Sequence, residues 1–183
     1  MNYSVKIEKL HVKEFLILRG FVELGGEADP FEASMRLISG RIADGSADSL
    51  RQAACSVPVY MLFGNAWKKG EDAQKWLCSY DMACENFSGA AKNGVFGAVR
   101  LEAGEYALFD CAFEREGTMA EAYAQVNELY WGGWLRENPY ISAIDPQYGA
   151  EPSGTSAIEL YLPLNPAAEV FSVKIWFPIR KIK

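Results

Sequence analysis

EYALFDCAFE (Glu105 to Glu114) is a short apolar run with the character of a β-strand, and a segment of helical periodicity follows it. EFLILRGFVE (Glu14 to Glu23) is a similar run in the first half of the chain, and a helical segment follows it as well. Two further apolar, β-rich runs follow each helix: VPVYMLFG (Val57 to Gly64) and WLCSYDMAC (Trp76 to Cys84), then IELYLPL (Ile158 to Leu164) and FSVKIWFPI (Phe171 to Ile179). The order strand, helix, strand, strand therefore occurs twice. We predict an α+β fold with a mainly antiparallel sheet, helices on one face and a ligand groove on the other.

The length of the chain fits one domain made of two repeats. With 183 residues, half of them apolar, it can bury a substantial core. We place repeat one at about residues 1–90 and repeat two at about residues 91–183. The glycine-rich stretch SGAAKNG, Ser88 to Gly94, marks the boundary between them.

Charge and hydropathy argue against several classes of protein. The chain has 18 Lys and Arg against 24 Asp and Glu, a net charge of -6, and its basic residues are scattered except at the very end. A phosphate-binding surface needs concentrated positive charge, so we expect no direct binding of nucleic acid. The N-terminal MNYSVKIEKL lacks the basic and apolar segments of a secretory signal, and no apolar run is long enough to span a bilayer. We therefore expect a cytoplasmic protein that does not associate with membranes.

The cysteines and the histidine do not predict a metal or cofactor site. Cys55, Cys78, Cys84 and Cys111 have neither the pair spacing of zinc ligands nor the density of a disulfide scaffold. They are interpreted as free thiols of a reducing compartment. His11 is the single histidine, which disfavours a histidine-based metal site or a Ser-His-Asp triad. We expect no cofactor and no metal.

Capping signals indicate where the two long helices begin. Asp29 can accept amide hydrogen bonds at a helix start, and Pro30 suits the first helical position. Thr118 and Glu121 form the T-x-x-E pattern of a capping box in the second half. Adjacent glycines lower helix propensity, so we predict that this second helix bends or ends near Gly132-Gly133.

Alternation along the strands predicts which side chains share a face of the sheet. In IELYLPL the aliphatic residues alternate and are expected to face the helices, which leaves Glu159 and Tyr161 on the opposite face. In FSVKIWFPI the same reasoning places Lys174 and Trp176 on that opposite face. VPVYMLFG adds an outward tyrosine. The predicted outward face therefore carries Tyr60, Glu159, Tyr161, Lys174 and Trp176.

Two interpretations of this face remain open. It is either a water-exposed sheet surface with an ordinary Glu-Lys pair, or the wall of a binding groove, which several exposed aromatic side chains favour. Trp131 and Trp134 either close one end of that groove or belong to the apolar core face of the second helix. The alternation in WLCSYDMAC is ambiguous, which makes Tyr80 a weaker site candidate than Tyr60.

Several motifs resemble those of one known family. AGEYALFDC (Ala103 to Cys111) resembles its G-x-Y-A-V-F strand, Trp134-Leu135 its W-L helix end, and YDMAC its Y-D strand. IELY is similar to its F-E-x-Y strand and VKIWFPI to its closing V-E-I-W-I-P-I. The family is the GyrI-like or AraC-type effector-binding domain, also seen as the drug-binding half of multidrug-responsive regulators. The resemblance covers nearly the whole chain.

The resemblance implies two strand-helix-strand-strand repeats around an aromatic-lined pocket for bulky, often cationic, hydrophobic molecules. In that family the glutamate of F-E-x-Y supplies a buried negative charge, and it corresponds to Glu159. The sequence departs from the family at Lys174, where a second glutamate is usual, and it leaves open whether an ammonium there neutralises Glu159. No helix-turn-helix precedes the domain in this sequence, which favours a stand-alone binding protein. The stretch Glu137 to Ser156 is interpreted as either a lid or an irregular surface loop.

Three functions are consistent with these patterns. The first is binding of an amphipathic, hydrophobic or cationic small molecule, with Glu159 providing charge and aromatic residues providing stacking. The second is hydrolysis of reactive hydrophobic toxins, as in some proteins that resemble this family, with Glu159 as general base and Tyr161 as proton donor. The third is sequestration of another macromolecule through the groove or a strand edge. The sequence does not identify the ligand or the oligomeric state.

Overall fold

The computed structural model describes residues 1–24, 29–69, 76–89, 95–114, 118–143, 156–161 and 170–182. The described strands are β1 (Asn2–Leu10), β2 (Lys13–Leu18), β3 (Phe21–Leu24), β4 (Val59–Lys69), β5 (Trp76–Glu85), β6 (Gly97–Leu101), β7 (Gly104–Glu114), β8 (Tyr140–Ser142), β9 (Ala157–Tyr161) and β10 (Val170–Lys181). The described helices are α1 (Pro30–Ala43), α2 (Ser46–Ala54), α3 (Met119–Glu128) and α4 (Leu135–Glu137), with a π-helical segment, Leu129–Trp134, between α3 and α4. Most of the predicted loop and of the predicted repeat boundary lies outside the described residues.

All described strands belong to one antiparallel sheet. Eight of them follow the order β1-β7-β10-β9-β4-β5-β2-β6, while β3 pairs with β5 and β8 pairs with β10. The predicted α+β class with a mainly antiparallel sheet is confirmed. Each half contains the predicted strand, helix, strand, strand order with additional elements: β1, β3 and α2 in the first half, and β6, α4 and β8 in the second. The strands β4 and β9, one from each half, lie side by side at the centre of the sheet.

The sheet is strongly curved. Only His11 and Val12 join β1 to β2, so the link spans about 11 Å at most, because consecutive Cα atoms are about 3.8 Å apart. In a flat sheet the six strand spacings between β1 and β2 would measure about 29 Å. The strands β6 and β7 are also six strand spacings apart in this order, and a similarly short link joins Leu101 to Gly104. The sheet must therefore curl until its two edges approach each other.

Both faces of the curved sheet are apolar. The inner cluster combines residues from strands near both edges and at the centre of the sheet: Phe15, Ile17, Leu62, Ala83, Val99, Leu101, Tyr106 and Ile158. On the outer face, one cluster packs against α3 and the π-helical segment, and another packs against α1 and α2. Met35 and Phe63 contact both outer clusters, so they mark the junction between the two halves.

The first opening run forms two strands where one was predicted. β2 ends at Leu18 and β3 begins at Phe21, and Asp81 of β5 accepts hydrogen bonds from the Arg19 guanidinium and from the Gly20 amide. A Cβ at Gly20 would lie 2.8 Å from the backbone oxygen of Tyr80, closer than real contacts allow. Glycine at this position lets the chain approach β5 closely between the two strands.

The predicted helix starts are confirmed. Asp29 accepts a hydrogen bond from the Phe31 amide at the start of α1, and Thr118 and Glu121 form the reciprocal capping box of α3. The second helix does not end at Gly132-Gly133: both glycines lie within the π-helical segment, and α4 follows it. Within the described residues, every helix is too short or too polar to cross a membrane.

Candidate functional site

The candidate site is built around Glu159, a carboxyl group buried in the middle of the sheet. Its relative exposure is 6%. Its cross-strand neighbours on either side are apolar: Ile175 of β10 and Met61 of β4. The cross-strand row continues through Phe109 on β7 and Met82 on β5. Glu159 is thus the single charged residue in a row of apolar side chains that spans five strands.

The prediction that Glu159 faces away from the helices is wrong. Ala157, on the same side of β9, packs in the outer cluster against α3, whereas Ile158 packs in the inner cluster. The prediction assumed that only the helix-covered face is apolar. Because this sheet is curled around a second core, alternating aliphatic residues do not reveal which face the helices cover.

Tyr80 is the hydrogen-bond partner of Glu159. Its hydroxyl group donates to Glu159 Oε2 at 2.5 Å, and both side chains are buried. The phenol extends from β5 across β4 to reach β9, and the ring of Phe63 meets it edge-on with 6.5 Å between centroids. Tyr80, predicted as a weaker site candidate than Tyr60, is the tyrosine that contacts the carboxyl group.

Burial controls the ionisation of this pair. Burial raises the pKa of Glu159 to about 7, and the hydrogen bond from Tyr80 opposes that rise by favouring the carboxylate. Burial, and then the nearby Glu159 charge, raise the pKa of Tyr80 well above that of an ordinary phenol. Among the described residues, no Lys, Arg or His forms an ion pair with Glu159.

Lys174 pairs with Asp110 and not with Glu159, which answers the question that the sequence left open. Its Nζ forms a salt bridge of 2.8 Å with Asp110 Oδ2, and both side chains are partly exposed. Val173 and Ile175 on either side of Lys174 pack in the outer cluster, so Lys174 lies on the inner face and Glu159 on the outer face. The sheet itself therefore separates the ammonium from the carboxyl group.

Tyr60 and Trp176 also lie on the inner face and do not share a surface with Glu159. Both pack against the inner cluster. The indole Nε1 of Trp176 donates to Glu8 Oε2 at 2.9 Å, and the ring of Tyr60 packs edge-on against Phe15. The predicted grouping of these aromatics with Glu159 is therefore wrong. Tyr161 is the last residue of β9, and its side chain lies outside the described part of the structure.

Trp131 and Trp134 lie on the π-helical segment and pack against the outer cluster. Trp134 stacks between Tyr140 and Tyr130, with centroids 5.6 and 6.3 Å away. Tyr130 in turn stacks on Phe177 of β10 at 3.9 Å, and Trp131 meets Tyr130 edge-on. Both tryptophans are half-buried, so they combine core packing with a partly accessible edge beside the outer face.

Sequence reasoning missed other aromatic residues near this face. Tyr123 of α3 is buried and close enough for its charge state to influence the pKa of Tyr80. Phe63 and Phe109 also lie near this face and are not among the predicted site residues. The helical spacing of Tyr123, Val126 and Tyr130 marks one apolar face of α3, but that spacing alone does not separate a core residue from a site residue.

The described residues contain no group of three or more His, Cys, Asp or Glu that could hold a metal ion. The four cysteines are free thiols, and three of them are buried. The groups that the structure describes at this site are one buried carboxyl group, its phenol partner and the surrounding aromatic and aliphatic side chains.

No family model and no curated protein matches the chain in sequence. Solved structures do match its fold. The structure of SAV2435 bound to tetraphenylphosphonium has a TM-score of 0.62 and 14% identity, covering 98% of this chain and 94% of that one. A putative bacterial transcription regulation protein from Staphylococcus aureus has a TM-score of 0.57 and 13% identity, with 97% and 98% covered. The EcmrR C-terminal domain has a TM-score of 0.55 and 12% identity, with both chains covered completely.

The chain has the fold of the GyrI-like effector-binding domains. The resemblance inferred from AGEYALFDC, IELY and VKIWFPI is thereby confirmed at the level of architecture. In this GyrI-like fold, Glu159 lies on the central pair of strands, where the two halves meet and where each half contributes helices to the same face.

Proposed function

We propose that this GyrI-like domain binds a bulky amphipathic small molecule, preferably an organic cation, at Glu159 on the helix-covered face of the sheet. The observation that carries this proposal is a buried carboxyl group with no cationic partner among the described side chains. An isolated charge is costly to bury, and proteins normally pair such a group or keep it neutral. A ligand that brings its own positive charge would supply the missing partner.

The aromatic surroundings favour a large, weakly hydrated cation. Tyr80 and Phe63 stand beside Glu159, and Tyr123 faces them from α3. Ring faces attract cations, and a carboxylate in a site of low dielectric constant adds to that attraction. A small inorganic cation would lose more hydration energy on entering such a site. We therefore propose a ligand whose charge is spread over apolar groups.

The structural neighbours support the same class of ligand. SAV2435 is a protein of the same fold whose structure contains tetraphenylphosphonium, a delocalised organic cation. For this chain we propose a cytoplasmic binding domain of two repeats that makes no direct contact with nucleic acid, as its scattered basic residues suggest. A thermal-shift screen of dyes and drugs would find ligands, because a molecule that binds only the folded chain raises its stability.

Replacing Glu159 with Gln is expected to weaken binding of tetraphenylphosphonium by roughly 1–3 kcal/mol at pH 8, the usual contribution of a contact to a charged group. Gln keeps the size of the side chain and removes only its charge. Isothermal titration calorimetry of the two proteins measures the difference directly.

Glu14→Gln is the matched control for that experiment. It makes the same change in net charge at an exposed position of β2 and is expected to leave the affinity unchanged. Equal affinities for the Glu159→Gln variant and the original protein would remove the carboxyl group from the proposed site.

The fluorescence change on ligand binding is expected to come from Trp134 and not from Trp176. Trp134 lies on the outer face beside Phe109, which is two strands from Glu159 in the same row, whereas Trp176 lies on the inner face. Titration of a cationic dye should therefore quench the emission of the Trp176→Phe protein as much as that of the original protein. It should quench the emission of the Trp134→Phe protein much less. The reverse pattern would place the ligand inside the curved sheet.

Hydrolysis is the second candidate, because a carboxyl group with a pKa of about 7 suits a general base. Cys78 is a thiol whose pKa is affected by the charge of Glu159. Burial is the main influence and raises the pKa of Cys78, which disfavours the nucleophilic thiolate. Binding without turnover is therefore the function we favour. Conversion of an alkylating cyclopropane compound, abolished in Glu159→Ala, would favour the hydrolase.

A further inference from the structure

The protonation state of Glu159 decides whether the empty site offers a charge to a cation. Two features of the structure act on this protonation state in opposite directions. Tyr80 donates a hydrogen bond of 2.5 Å to Oε2, which favours the carboxylate, while burial favours the neutral acid. Burial is the larger influence, since the pKa of Glu159 is raised to about 7 despite the hydrogen bond.

We propose that this chain takes up its cation in exchange for the proton of Glu159, and that Tyr80, through its hydrogen bond to Glu159, sets the pH at which the exchange occurs. The inference rests on the proposed function, because it concerns the same site. It adds that the ligand competes with a proton, so binding responds to pH near neutrality.

The groups that face Glu159 leave the ligand as the source of positive charge. Neighbouring side chains on β4 and β10 are Met61 and Ile175, which do not titrate. Among the described residues, the titratable groups on the other elements packed around this face are phenols and thiols, none of which becomes cationic in any protonation state: Tyr80, Cys78 and Cys84 of β5, Cys111 of β7, Tyr123 of α3 and Tyr130 of the π-helical segment. On the helices that cover the first half, Arg36 pairs with Glu32 and Arg51 pairs with Asp48.

The exchange is balanced in charge and atoms. In the empty site at pH 6, Glu159 is mainly the neutral carboxylic acid. When the cation enters, the O–H bond of the acid breaks, the proton passes to solvent, and the carboxylate stays paired with the ligand. Affinity should therefore rise with pH until the empty site is already ionised, above about pH 7, and then become constant.

Tetraphenylphosphonium is a suitable probe because its charge does not depend on pH. With a pKa of about 7, Glu159 is about one-tenth ionised at pH 6 and about nine-tenths ionised at pH 8, so Kd should be about tenfold higher at pH 6. Calorimetry at pH 6 in two buffers with different heats of ionisation should show release of about one proton per ligand. At pH 8.5 it should show almost none.

The Tyr80→Phe variant tests the role assigned to the phenol. Loss of the donated hydrogen bond should move the midpoint of the pH profile to higher pH, whereas Tyr3→Phe, at an exposed position of β1, should leave it in place. A purely structural role of Tyr80 would change the affinity by the same factor at every pH. The Glu159→Gln variant should bind with an affinity that does not vary between pH 6 and pH 8.5.

The outcomes separate this inference from the proposed function. Binding with a constant Kd from pH 6 to pH 8.5 and no proton release would overturn the exchange and leave cation binding intact. A pH dependence that persists in Glu159→Gln would assign the proton to another group and would also overturn the inference. Absence of binding at every pH would refute both proposals together.

Discussion

Replacement of Glu159 with Gln is expected to raise the free energy of unfolding by about 3 kcal/mol at pH 8. The pKa of Glu159 is raised from 4.5 to about 7 in the folded chain, and each pKa unit corresponds to about 1.4 kcal/mol. Above pH 7 the carboxyl group is ionised in both states, so the original protein carries the full cost of a buried charge. Gln has the same shape and avoids that cost.

The pH dependence of this gain follows from proton binding. Between pH 4.5 and pH 7 the folded chain holds a proton on Glu159 that the unfolded chain releases, so the stability of the original protein decreases as pH rises through this range. The stability of the Gln variant lacks this contribution, and the difference between the proteins should vanish near pH 4.5. Urea unfolding of both proteins at pH 5 and pH 8 measures it.

Glu14→Gln, at an exposed position, serves as the control and should show no comparable gain. A Glu159→Gln protein that is less stable than the original at pH 8 would contradict the assignment of Glu159 as an unpaired buried acid. A confirmed gain would show that the chain retains a destabilising residue, as proteins do where function requires one.

Replacement of Phe109 with Ala is expected to lower the free energy of unfolding by about 3–5 kcal/mol, the usual cost of removing a buried ring from a core. Phe109 is fully buried and makes edge-on contacts with Phe177, Tyr130 and Trp134 at centroid distances of 5.5, 5.7 and 6.0 Å. Its loss would leave a cavity where β7 meets the π-helical segment. Urea unfolding at pH 6 measures the change.

Two other variants calibrate that result. Phe87→Ala removes a ring that is 67% exposed and should change the stability by less than about 0.5 kcal/mol. Phe109→Leu retains most of the buried volume and should have a smaller effect than Phe109→Ala. Similar losses for Phe109→Ala and Phe87→Ala would mean that the aromatic cluster around Trp134 is not a tightly packed part of the core.

Local signals in the sequence predicted much of the fold. The caps at Asp29 and Thr118 were identified correctly because capping depends on residues within one helical turn. The faces of β4 and β10 were also assigned correctly, since Met61, Phe63 and Ile175 pack under the helices as alternation indicated. The position of Glu159 in IELY predicts it as a site residue, and the structure shows that this carboxyl group is buried.

The surroundings of Glu159 could not be predicted from these local signals. Which face of β9 the helices cover depends on the curl of the whole sheet, and that curl results from strand order and link length. The same alternation predicts the helix-covered face correctly for β10 and wrongly for β9. Ile158 belongs to a core enclosed by the curved sheet, and a flat sheet would have no such core. Lys174 and Trp176 were then grouped with Glu159 for that reason alone.

The strand order also links the two halves of the chain to each other. β1 precedes the first helix but pairs with β7, and β6 precedes the second helix but pairs with β2, so each half closes the sheet of the other. A polypeptide cut between the repeats would leave two fragments, each carrying an edge strand whose partner belongs to the other fragment. We therefore expect the two halves to depend on each other for folding and to unfold as one cooperative event.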